Sequence, residues 1–169
     1  MASTYVASNA EAYELSMGRW SRRLARPFVS FAELDGVRRI VDVGCGTGAL
    51  TAALPAAGEA VGVDIGEVFR ARQYASPLAE AGGLAAAFRR HGLGAIEETS
   101  LTIRMEFARF DDLWAPWLAG QGVIGAYVAG LPASERAVLG DAMRRAYLAG
   151  GGDGPRSFAA SAWAVRARA

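Results

Sequence analysis

The segment Asp42-Val43-Gly44-Cys45-Gly46-Thr47-Gly48 sets the tightest limit on how this chain can fold. It completes residues 37–43, a short and largely apolar run with β-branched side chains that predicts a strand buried on both faces. Glycines at alternate positions let the backbone turn sharply out of that strand, and they let another molecule approach without meeting a Cβ. Residues 49–57 read as a helix whose first N–H groups and positive dipole end would point at the same turn. Glu59–Val63 is a second short strand, and Asp64 ends it. Strand, glycine turn, helix, strand and acid make a βαβ unit, expected to be parallel and right-handed. At Asp64 a carboxylate can accept two hydrogen bonds from a ribose diol, each worth about 1.5–3 kcal/mol. Together these parts describe a nucleoside-binding crevice at the carboxyl ends of parallel strands.

Gly44, Gly46 and Ala49 also satisfy the looser dinucleotide pattern G-x-G-x-x-G/A, so a nicotinamide cofactor is one alternative. Asp42 weighs against it. Its carboxylate, two residues before the first glycine, would repel a pyrophosphate and favour an ammonium group. No basic residue lies in the loop, and Gly48 adds a third close approach. A ligand carrying an amine and a cationic sulfonium suits such a pocket better than two phosphates.

Residues 41–51, Val-Asp-Val-Gly-Cys-Gly-Thr-Gly-Ala-Leu-Thr, resemble the first motif of class I S-adenosylmethionine-dependent methyltransferases. Val61-Gly62-Val63-Asp64 resembles their second, ribose-binding motif. Residues 12–21 are similar to the N-terminal segment that lies over the cofactor in one bacterial group of these enzymes. Residues 110–117, Gly120-Gln121-Gly122 and Tyr127-Val128 resemble the substrate-side segment of that group, and residues 161–166 its closing strand. The resemblance covers nearly the whole chain. It implies an α/β Rossmann-like class I methyltransferase fold, with an abbreviated sheet and helices on both faces. Residues 1–169 would form a single domain: a cap and cofactor-binding βαβ unit over 1–66, and a helix–strand part over 67–169. The cofactor implied is S-adenosylmethionine, held by Asp42, Gly44, Cys45, Gly46, Gly48 and Asp64, with Tyr13, Met17 and Arg19 as lid contacts. For Arg19, contact with the cofactor's carboxylate stands beside an ordinary helix-start arginine. Trp114, Trp117 and Tyr127 are substrate-side candidates that would stack on a flat molecule; packing of a Trp-rich helix is the alternative.

The chain also departs from that family. Between Gly66 and Ala75 it passes from the second strand straight to a late helix, so three central strand–helix units have no counterpart. Even one βαβ crossover needs at least about 10–12 residues and a further strand. Those units carry the family's adenine-binding acid and the strand tip facing the substrate, so no catalytic residue is assigned. Methyl transfer asks little of side chains beyond in-line positioning. Loss of the adenine wall implies weaker binding and a wetter site. Either the first strand then lies beside the last, or a second copy completes the open edge, which makes a homodimer the expectation.

Elsewhere, Trp20, Leu24, Phe28, Phe31 and Leu34 recur at helical spacing opposite Arg22, Arg23 and Arg26, with Pro27 as a point of interruption. Ser76-Pro77 is a helix start, and that helix should run through Phe88 and stop at His91-Gly92. His91 is a general base or a complement to the helix dipole. Residues 96–107 alternate, with Leu101, Ile103, Met105 and Phe107 on one face of a half-buried strand. Asp111 and Asp112 read as caps of a short helix that Gly120-Gln121-Gly122 breaks. Residues 132–148 form an amphipathic helix, and residues 157–165 a final antiparallel strand.

Composition bounds the function. With 169 residues, 52% hydrophobic and 21% charged, the chain can bury one core. A net charge of +1 gives no field to gather nucleic acid or an anionic membrane. All 18 basic residues are arginine, which excludes Schiff-base and phosphate-loop lysines. Cys45 and His91 are single, so there is no intramolecular disulfide and any metal site would rest on carboxylates; none is expected. As a helix-start thiol Cys45 is a candidate nucleophile, and as a small loop residue it is packing. The first fifteen residues show no apolar signal-peptide centre, and residues 123–131 are too short to span a bilayer, so a cytoplasmic protein is expected. The expected function is methyl transfer to a small molecule; the alternative is a non-catalytic cofactor-binding or assembly module.

Overall fold

The structure, a computed structural model, describes residues 13–55, 59–63, 78 and 80–168. Among these it is mixed α/β. A π-helical turn (Glu14–Gly18) leads into α1 (Arg19–Ala32), followed by β1 (Arg39–Val43), β2 (Glu59–Val63) and α2 (Gly83–Arg90). Then come β3 (Gly94–Phe107), α3 (Phe110–Leu118), α4 (Gly122–Gly130), α5 (Ala133–Leu148) and β4 (Arg156–Arg168). The chain divides into two compact units, one of Met1–Met17 with Arg104–Ala159, the other of Gly18–Ile103 with Ala160–Ala169.

Among the described residues the strands lie in two separate pairs, β1 with β2 and β3 with β4, in place of the expected single abbreviated sheet. The longer strands, β3 and β4 of 14 and 13 residues, are hydrogen-bonded to each other. Their cross-strand contacts, Glu97 to Arg166, Thr102 to Ser161 and Arg104 to Ser157, run in opposite order, so the pair is antiparallel as expected. β1 and β2 are parallel, in the register Arg39↔Glu59 through Val43↔Val63. Alternation puts Val41, Val43 and Val61 on one face, where they are 63%, 61% and 50% exposed, while Asp42 on the other is buried. The expectation of a strand buried on both faces therefore holds for one face only.

In the unit that contains α1, the helix runs unbroken through Pro27. Proline removes its own N–H from the ladder, and the turns on either side keep theirs. Trp20 is buried beneath the guanidinium groups of Arg19, 4.2 Å from the ring centre, and Arg23 at 5.5 Å. The helix ends at Glu33 in the left-handed region, φ 51°. Arg166 of β4 gathers this end: it donates to the Phe31 carbonyl at 2.9 Å and pairs with Glu33 at 2.6 Å and Glu97 at 2.7 Å. The expected start of α2 at Ser76-Pro77 lies outside the described residues. Among those described it opens at Gly83, because the Glu98 carboxylate of β3 accepts from the amides of Gly82 and Ala85, the latter at 2.8 Å. It stops at His91, whose exposed side chain marks the expected end.

The other unit is built on aromatic rings. Phe110 stacks on Trp114 with centroids 6.0 Å apart, and Tyr147 meets Phe110 edge-on at 5.8 Å. Phe107, the inner end of the alternating strand, lies 5.9 Å from Phe158. The Tyr147 hydroxyl donates to the Gly154 carbonyl at 2.9 Å, and burial pushes its pKa up, with Arg156 opposing. At the start of α3, Asp112 reaches back to the Ala108 amide at 3.1 Å. Asp111 is exposed, and the Phe110 amide is held instead by Asp153, which also pairs with Arg144. Arg136 closes the end of α4 by donating to the carbonyls of Ala129 and Leu131.

Candidate functional site

The glycine turn leaves β1 with Gly44 at φ 81°, Gly46 at φ 54° and Gly48 at φ 82°. All three lie in the left-handed region, where an L side chain costs about 1–2 kcal/mol. At Gly48 a Cβ would meet nothing within 4 Å, so backbone conformation and not crowding calls for glycine there. The turn is closed by the Gly48 amide donating to the Cys45 carbonyl at 2.9 Å. Gly44 and Gly46 are exposed, whereas Cys45 is half-buried with its thiol 3.7 Å from the Gly46 carbonyl.

One expectation for this turn is corrected. No α-helix follows it over the described part of residues 49–57. A 3₁₀ turn spans Thr51–Ala53, and Leu54 is extended, at φ −65° and ψ 149°. Pro55 is the cause, since a residue before proline is driven out of the helical region. The dipole of a full helix is therefore not aimed at the turn. Asp42 borders the turn from the strand side. It is 7% exposed and accepts a 2.6 Å hydrogen bond from the Thr51 hydroxyl. Its carboxylate thus serves the loop's own backbone path through one oxygen, Oδ2.

Asp64 lies outside the described residues. Tyr13 and Met17 belong to one unit, and Arg19 with the glycine turn to the other. The Tyr13 carbonyl accepts from the Ser16 hydroxyl, Met17 is exposed, and the Arg19 guanidinium covers Trp20. Of the substrate-side candidates, Trp114 is a core residue, stacked on Phe110 with its ring against Gly140. Trp117 meets Trp114 edge-on at 5.9 Å, and Tyr127 is exposed on α4.

Sequence reasoning missed Thr51, Glu98 and Asp153. Each acts on a backbone or carboxylate partner nine or more positions away, apart from its pairing with nearby groups, and no local pattern marks them. Among the described residues no three His, Cys, Asp or Glu side chains gather as metal ligands, and no helix is long and apolar enough to cross a membrane. Compared with known proteins, the chain matches no family model, no curated protein and no solved structure.

Proposed function

We propose that this chain binds S-adenosylmethionine at the carboxyl end of β1 and transfers its methyl group to a small molecule. The observation that carries the reading is the run of three left-handed glycines where β1 ends beside its parallel partner β2. That turn fits the cofactor: Gly44 and Gly46 are exposed, and the backbone is free of side chains at alternate positions. Asp42 is tied to Thr51 through Oδ2, and its second carboxylate oxygen would be the one to meet the ligand's amine. Bound there, the cofactor supplies an activated methyl group on a sulfonium. The chain's part is to present the turn's backbone and, through Asp64, to hold the ribose diol. The balanced net charge favours a small acceptor over nucleic acid. A cytoplasmic setting and a homodimer that completes the sheet edge belong to the same reading.

Calorimetric titration with S-adenosylhomocysteine, beside an Asp64→Ala control, tests it. The expected result is micromolar binding that the control weakens at least about tenfold, or 1.4 kcal/mol. No binding by the folded chain would sink it.

The open valine face of β1 and β2 favours a second reading, a non-catalytic assembly module derived from such an enzyme. Methyl transfer to any acceptor eliminates that second reading.

A further inference from the structure

We infer that Thr51 is the positioning residue of the glycine turn. Its hydroxyl donates to the Asp42 carboxylate at 2.6 Å, and the two residues flank the turn on either side. Asp42 is the one buried charged group of the structure's described core, and a buried carboxylate is stable only when hydrogen-bonded. The contact joins the end of β1 to the 3₁₀ turn, so it closes a loop whose three glycines impose no conformation of their own. Among the described residues, backbone hydrogen bonds within that loop run from Gly48 to Cys45 and from Ala52 back to Gly48. Neither reaches β1. The Thr51–Asp42 contact is a side-chain link that does, and it ties the turn to the strand. Acting through Asp42, Thr51 presets the backbone surface that a ligand meets, which lowers the ordering cost of binding.

The ligand part of this inference rests on the cofactor-binding reading; the conformational part does not. The test compares wild type with Thr51→Val, which keeps the shape and removes the donor, and with Thr51→Ser, which keeps the donor. Amide hydrogen exchange over residues 44–50 should rise at least about tenfold in Thr51→Val and return to within about threefold of wild type in Thr51→Ser. Exchange around Tyr147 in the other unit should stay unchanged, which separates local release from global unfolding. Affinity for S-adenosylhomocysteine should fall at least about tenfold in Thr51→Val and recover in Thr51→Ser. Wild-type exchange in Thr51→Val overturns the inference. So does lost affinity with unchanged exchange, since Thr51 would then be touching the ligand itself. Failure of wild type to bind removes the cofactor reading alone, and the exchange data still decide the role of Thr51.

Discussion

Replacing Gly125 by alanine inserts a Cβ that would lie 2.6 Å from the Gly120 carbonyl carbon and 3.2 Å from the Trp117 carbonyl oxygen. Those neighbours are backbone, so no side-chain rotation relieves the contact, and α3 and α4 must separate. Overpacking of this kind costs typically about 1–3 kcal/mol. A glycine in a helix interior gives back about 0.8–1.0 kcal/mol when it becomes alanine. The net expectation for Gly125→Ala is a loss of about 1–2 kcal/mol. Gly130, on the same helix, supplies the internal control: a Cβ there meets nothing within 4 Å. Only the propensity gain remains, roughly 0.5 kcal/mol in a last turn. The two variants should therefore differ by about 2 kcal/mol, or roughly 4–8 °C in Tm for a chain of this size. Urea unfolding followed by tryptophan fluorescence measures the difference, with an unchanged slope marking a pure stability effect. Trp114 and Trp117 on α3 report on the contact directly. A Gly125→Ala midpoint equal to or above that of Gly130→Ala would refute the close approach of the two helices.

Tyr147→Phe should cost about 1–2 kcal/mol by leaving the Gly154 carbonyl without its donor, read from the same urea curves. Because burial raises the Tyr147 pKa, its contribution is complete below pH 10 and declines as pH rises through the folded-state value. In thermal melts, wild type should therefore lose stability in alkali more steeply than Tyr147→Phe; parallel pH profiles would contradict this. Asp153→Ala removes the acceptor for the Phe110 amide, so about 1 kcal/mol should be lost; the exposed Arg144 pair adds little. Salt titration of the Asp153→Ala effect checks the division, since the amide bond persists where a surface pair is screened.

Periodicity made the longer elements legible. The alternation of Leu101, Ile103, Met105 and Phe107 is the buried side of β3, and residues 132–148 contain α5 almost to its ends. The glycines at 44, 46 and 48 were readable as a turn because each supplies a backbone region that other residues avoid. What local pattern does not carry is partner choice. α2 opens where Glu98 meets it, and Glu98 belongs to another element. The pairing of β3 with β4, apart from β1, depends on which strands satisfy one another across long connections. α4 has no periodic signal because its apolar residues form no stripe, and its Gly125 is there for contact with Gly120. After the glycine turn the sequence carries the deciding signal: Leu54-Pro55 stands inside the expected helix and is where the chain becomes extended. The spacing of Asp42 from the glycines carries no sign of its hydrogen bond with Thr51, which only the folded turn brings together.

The Arg166 cluster has a consequence for the order of events during synthesis. Glu33, Phe31 and Glu97 are made early, but the guanidinium that gathers them belongs to Ala160–Ala169. All of Arg104–Ala159 is made in between, which takes roughly 3–11 s at about 5–20 residues per second. Late in that interval the Gly94–Phe107 strand has emerged without β4, so its backbone groups stand as an open template for another chain. The nascent protein is therefore most exposed to misassembly just before its last strand arrives, and chains that stop short of residue 160 keep that edge permanently.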